Sequence, residues 1–279
     1  MNSIAKVTTP VWPRPGTEWV TVFLFVGVYL VIGASTALAL SLSPKAWPLF
    51  VLINSFCVYA AFTVLHEASH RNISRRFPRL EYLMGVMSGL LFHGAYEQFI
   101  SIHLKHHAKV NLKGQDPDLH ATGPITLGKL LQWGATLPVY MQHYFKFGLF
   151  RREKFWGIVL PYAFIVCLYS LAWYFDSVSP LLIFWLLPSF LGVMLTVYVF
   201  DHLPHHPHSD PGKFTNARFY PHPVLDWVFF MHSHHLIHHL WPSIPWYRYR
   251  EAYLQRKGEL MAAGAHPEVE LYGFKDPRS

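Results

Sequence analysis

An all-α integral membrane protein, with four transmembrane helices in two hairpins and a histidine-rich cytoplasmic cap, is the fold class this sequence predicts. Three observations predict it. Only 14% of the 279 residues are charged and 52% are hydrophobic, against about 25% charged in an ordinary soluble domain. Apolar runs close to the length a bilayer requires recur along the chain. The 19 histidines include three close-spaced clusters that fall beside polar, basic segments rather than inside those runs.

The elements follow in order. Met1 to Gly16 is proline-rich and reads as a short tail, without the basic start, apolar middle and small-residue cleavage site of a signal peptide. The first span runs from Trp19 to Leu40, free of charge from Val20 onward. Ser41 to Lys45 makes a tight turn, and Trp47 to Leu65 forms the second span of a hairpin that delivers His66 and His70 to the membrane edge. After Arg71, Arg75, Arg76 and Arg79, the apolar stretch Tyr82 to Phe92 is too short to span. It reads as a re-entrant or interfacial helix returning to the same side. A polar segment with Lys105, Lys109 and Lys113 carries the second cluster and ends in the turn Asp116-Pro117-Asp118. Pro124 to Phe150 reads as an interfacial connector. Phe155 to Phe175 and Leu181 to Phe200 are the third and fourth spans, joined by the turn Asp176 to Pro180. From Pro207 on, the chain is polar and turn-rich apart from Asp226 to Leu240, which carries the last cluster. No repeat or second domain is visible, so residues 1–279 read as one domain.

Two hairpins leave both termini and every histidine cluster on one side. That side also holds nearly all the lysines and arginines, whereas the opposite turns offer only Lys45 and Asp176. By the positive-inside rule the histidine side is cytoplasmic. The net charge of +7 is thereby explained by membrane orientation, not by nucleic-acid binding. Cys57 and Cys167 both lie in apolar runs, which excludes a disulfide framework and cysteine-ligated metal.

The clusters carry the chemistry. His66-Glu-Ala-Ser-His70 places two imidazoles at i and i+4. His103-Leu-Lys-His106-His107 and His235-Leu-Ile-His238-His239 repeat the spacing H-x-x-H-H, in which i, i+3 and i+4 share a helix face and could converge on one point. Eight histidines are more than one zinc could use and suit two metal ions. All-imidazole ligation fits iron, zinc or copper. Asp201 and His205 stand at i and i+4 at the end of the fourth span, which makes His205 a candidate ninth ligand and Asp201 a supporting or water-mediated partner. His202 points away from His205, and His93 could supply an orienting hydrogen bond. His232 and His234 flank the last box, with a solvent-exposed role as good a reading as a supporting one. Read literally, His66 to His70 is also the H-E-x-x-H signature of zinc peptidases, with Glu67 as general base. That reading leaves two boxes without a purpose. A metal-handling protein without catalysis is a more remote reading.

The three boxes resemble those of the membrane fatty acid desaturase superfamily, over most of the chain from about Phe50 to Tyr253. Phe200-Asp-His-Leu-Pro-His205, Asn216-Ala-Arg-Phe-Tyr220 and His235-Leu-Ile-His-His-Leu-Trp-Pro-Ser-Ile-Pro-Trp246 are similar to its β-carotene 3-hydroxylase branch. The resemblance implies two non-haem iron ions, dioxygen as co-substrate, and His66, His70, His103, His106, His107, His205, His235, His238 and His239 as ligands. Glu67 stands where the superfamily more often has aspartate. His202, His206 and His234 stand where the branch has aromatic residues or arginine. The implied activity is hydroxylation of a lipid-soluble substrate, most like a carotenoid ring, with a fatty-acyl desaturase or hydroxylase as the alternative. No side chain beyond the metal ligands is expected to carry the chemistry. The chain has no flavin or nicotinamide fingerprint, so electrons are expected from a separate ferredoxin-like acidic carrier docking on the basic face. Without a transit peptide, the expected site is a bacterial inner membrane.

Overall fold

A computed structural model describes residues 7–10, 12 and 15–266. Much of the predicted tail falls outside them. The described chain is helical, and its only extended pairing is an isolated antiparallel bridge between Thr17 and Ser74. The helices are α1 (Trp19–Ser41), α2 (Trp47–Ser69), α3 (Pro78–Leu91), α4 (Tyr96–Lys109), α5 (Leu127–Gly134), α6 (Thr136–Lys146) and α7 (Phe155–Tyr174). They continue with α8 (Val178–His205), α9 (His235–Leu240) and α10 (Tyr249–Ala262). Helices α1, α2, α7 and α8 are long and apolar enough to cross a membrane. α3, at 14 residues, is not.

Several boundaries differ from expectation for identifiable reasons. α2 continues four residues past Leu65, so His66 and Glu67 lie inside the helix and His70 caps it. α8 likewise runs beyond Phe200 to His205, through π-helical turns at Leu182–Leu186 and Val197–His202. The second of these carries Asp201, so the simple α-helical i, i+4 argument for Asp201 and His205 does not apply there. The connector from Pro124 to Phe150 contains α5 and α6. The C-terminal region is more ordered than its polarity suggested, because α10 buries Tyr249, Ala252, Tyr253 and Leu260 along one stripe.

The chain divides into two compact units. The first comprises residues 16–104 and 124–196. α2 is its central element, buried without interruption from Val58 to Ser69 and packed against α1, α3 and α8. The contact with α8 is close: a Cβ on Gly192 would stand 2.7 Å from the Ser55 carbonyl oxygen. Buried polar groups here find partners, as a low-dielectric interior demands. The Asn54 amide donates to Thr36 Oγ1 at 3.0 Å and to the Phe184 carbonyl at 3.2 Å, and Ser35 donates to Asn54 Oδ1. After α2, the Glu81 carboxylate accepts from the Ile73 and Ser74 amides at 2.7 and 2.9 Å, which fixes the loop that follows His70.

The second unit comprises the described residues of 1–15, 105–123 and 197–279. α10 packs on α9 and on the turn preceding it, with Tyr253 against Phe219 at a ring separation of 4.3 Å. Tyr220, buried, donates its hydroxyl to the Val199 carbonyl at 2.5 Å. It thereby satisfies an oxygen in the π-helical turn, where regular helical bonding is displaced.

Candidate metal centre

In the first unit, α2 and α4 set three imidazoles in a triangle. Ring centroids are 5.0 Å apart for His66 and His70, 4.8 Å for His66 and His103, and 4.9 Å for His70 and His103. The Nε2 atoms of His70 and His103 approach to 2.8 Å. Each residue offers one nitrogen, all within 4.8 Å of one another. Phe62 stacks on His66 and Phe99 on His103, walling the group with apolar rings. Burial lowers the His70 pKa to about 4, so its imidazole is neutral, the form a metal requires. Glu67 is fully buried with Oε1 at 3.7 Å from His66 Nδ1. His93 lies apart from this triangle; its Nε2 pairs with the Tyr169 hydroxyl at 2.9 Å and its ring stacks on Trp185.

In the second unit, His106, His205, His235 and His239 bring one nitrogen each within 4.8 Å of the others. The Nε2 atoms of His235 and His239 lie 2.9 Å apart. His107 and His238 form a further pair, Nε2 to Nε2 at 2.8 Å. The H-x-x-H-H boxes are therefore divided rather than convergent. His106 and His107 diverge, with ring centroids 5.8 Å apart. In the third box the i and i+4 residues share a group, while His238 turns to His107.

The tautomers are set from behind. His205 Nδ1 donates to the Asn216 carbonyl at 2.7 Å. A carbonyl can only accept, so Nε2 of His205 carries a lone pair, and it is buried with no hydrogen-bond partner among the described residues. His106 Nδ1 donates to Asp116 Oδ1 at 2.8 Å, with Asp118 Oδ2 at 3.2 Å. This makes Nε2 the nitrogen that the neutral ring would offer to a metal. His238 Nδ1 pairs with the Tyr249 hydroxyl at 3.2 Å. Asp116 is itself fixed, its Oδ2 accepting from the Asn111 amide at 2.7 Å and its Oδ1 from the Asp118 amide at 2.9 Å. Burial pushes the His106 pKa down, but Asp116 and Asp118 outweigh it and raise the value to about 9. Burial lowers that of His239. A buried, orphaned nitrogen facing further imidazoles is the environment of a transition-metal ion, and an all-nitrogen donor set of this kind fits iron.

Sequence reasoning missed Asp116 and Asp118. Asp-Pro-Asp carries ordinary turn chemistry, and the ten residues between His106 and Asp116 hide their contact. Asp201 is buried but stands outside the imidazole groups. His232 and His234 are fully buried, so the solvent-exposed reading is corrected: His232 packs edge-on against Phe200, and His234 lies against Phe219 and Tyr253. His202 turns away from the group and donates to the Ala121 carbonyl at 2.9 Å.

Comparison with known proteins decides the family. The model of the fatty acid desaturase family matches residues 42–267. The chain belongs to the fatty acid desaturase family. A β-carotene ketolase of Paracoccus sp. (strain N81106 / MBIC 01143) is 28% identical over 221 residues, covering 74% of this chain and 81% of the relative. A second β-carotene ketolase, from Paracoccus sp. (strain PC1), is 30% identical over 198 residues, covering 67% of this chain and 71% of the relative. As a desaturase-family membrane protein, the chain is an oxidoreductase acting on lipid-soluble substrates.

Proposed function

We propose that this protein is a membrane non-haem di-iron oxygenase that hydroxylates an unactivated C–H bond on the end ring of a carotenoid, with 3-hydroxylation of β-carotene toward zeaxanthin as the product. The single observation that carries the reading is the bare, buried Nε2 of His205 facing three further imidazoles, in a chain whose relatives include proteins named for β-carotene. His106, His205, His235 and His239 would hold one iron and His66, His70 and His103 the other, with His107 and His238 completing the nine. Bound iron supplies the binding and reduction of dioxygen. The chain's own part is to fix each imidazole and to keep water out. Asp116 and Asp118 hold the proton on Nδ1 of His106, the Asn216 carbonyl holds that on His205, and the Phe62 and Phe99 rings shield His66 and His103. Asp201 and Glu67 act as buried supporting carboxylates.

Overall, one oxygen atom enters the C–H bond and the other leaves as water, using two electrons and two protons from a separate donor. A ferredoxin-like acidic carrier docking on the basic face is the proposed source. Two hairpins with the histidine boxes on the cytoplasmic side of a bacterial inner membrane would put that face within a soluble donor's reach. The names of the two relatives favour a second reading, oxidation to a ketone. A second hydroxylation at the same carbon gives a geminal diol that loses water.

The test is chromatography with mass detection of pigments and lipids from a β-carotene-accumulating bacterial host expressing the chain. Products heavier by one and two oxygens, absent with His238→Ala, support ring hydroxylation. A product that gains one oxygen and loses two hydrogens selects the ketone. Unchanged carotenoids beside a new double bond or hydroxyl in the fatty acids would refute the carotenoid assignment and move the substrate to acyl lipids.

A further inference from the structure

The turn that launches the third histidine box is strained. Phe230 and Met231 are consecutive bulky residues in the left-handed region, at φ 50° and 59°. Side chains with a Cβ rarely adopt that conformation, and it persists only where surrounding bonds over-determine it. Four residues after Met231, His235 opens α9.

The bonds that hold this turn meet at one residue. Asp226 is fully buried. Its main-chain carbonyl accepts from the Met231 amide at 2.6 Å. Its carboxylate accepts from Ser233 Oγ at 2.5 Å, from His234 Nε2 at 3.2 Å and from the His222 amide at 3.0 Å. Arg250, reaching in from α10, places Nε at 3.3 Å and balances the charge. Ser233 and His234 are the two residues immediately before His235. The His234 ring is thus committed to Asp226 and does not cap α9. No part of the mechanism above uses this carboxylate.

We propose that Asp226 is the positioning residue of the third box: by holding Ser233, His234 and the left-handed Phe230–Met231 turn, it sets the direction in which His235, His238 and His239 present their nitrogens. It touches none of the three and acts only through the turn. The inference rests on the reading of those histidines as iron ligands.

The experiment uses the full chain in lipid nanodiscs, stripped of metal and titrated with ferrous iron alone. Asp226→Asn keeps the side chain's size and removes its charge. It is expected to weaken iron affinity at least tenfold, within the range typical for residues that orient metal ligands, and to change the Mössbauer spectrum of the iron that does bind. Asp226→Glu should recover part of the affinity. Should Asp226→Asn fail to fold, Ser233→Ala breaks one of the same bonds without disturbing the charge and should weaken affinity several-fold. Wild-type affinity and an unchanged spectrum in whichever of these variants folds would overturn the proposal. Failure of the wild-type chain itself to take up iron would be a different result, overturning the di-iron reading on which the proposal stands.

Discussion

His106 shows how much a single imidazole depends on what stands behind it. Asp116 fixes its tautomer at 2.8 Å, and Asp118 adds a weaker contact at 3.2 Å. Asp116→Asn is therefore expected to reduce turnover about 10–100-fold, and Asp118→Asn less, as measured by product formed per chain. His106→Ala and His238→Ala should abolish turnover; normal product from either would remove that residue from the ligand set. The same carboxylates give iron uptake a pH dependence. In the stripped protein the His106 pKa stands at about 9, so below that value a proton must leave before the metal enters. Affinity should rise with pH and level off near 9, and Asp116→Asn, by removing the charge that raises the pKa, should shift the plateau to lower pH. That the histidines cluster was legible from their spacing, but the division of each H-x-x-H-H box between groups was not. Nor were the histidines' partners, because Asp-Pro-Asp is ordinary turn chemistry and an anchoring main-chain oxygen such as that of Asn216 leaves no mark on a sequence.

At the level of elements, apolar length made α1, α2, α7 and α8 readable, since a bilayer selects for uninterrupted hydrophobicity and little else. α10 escaped notice because its buried stripe is built from Tyr249, Ala252, Tyr253 and Leu260 among charged neighbours. The π-helical turn Val197–His202 escaped too, since it arises from tertiary bonding and not from composition. Tyr220 is part of that bonding. Tyr220→Phe leaves the Val199 carbonyl without its 2.5 Å partner, at a cost of about 1–3 kcal/mol, so thermal unfolding in detergent should shift downward. The close crossing of α2 and α8 gives a second check. Gly192→Val would drive a side chain into the Ser55 carbonyl and Val58, and the helices must part at a cost of about 1–3 kcal/mol. Unfolding at an unchanged temperature would show that the crossing yields without strain.

Across the whole chain, net charge and its placement govern encounters with other molecules. If an acidic electron carrier docks through exposed arginines such as Arg75, Arg76, Arg151 and Arg152, screening should slow it. Turnover with saturating substrate and oxygen is expected to fall as salt rises, and a flat response would remove the electrostatic docking. The proposed orientation rests on the asymmetry of lysine and arginine between alternate loops. The course of each strained turn was not, because it depends on contacts between residues distant in sequence. The four apolar helices also differ in how much of each the protein covers: 72% of the most apolar window in the α2 span is buried, against 6% in that of α7. To the lipid, α7 is mostly solvent-facing surface; to its neighbours, α2 is packing. Evolution should therefore write on the two helices at different speeds, letting α7 wander among leucine, valine, phenylalanine and tryptophan while α2 stays nearly fixed, although hydropathy alone makes them look interchangeable.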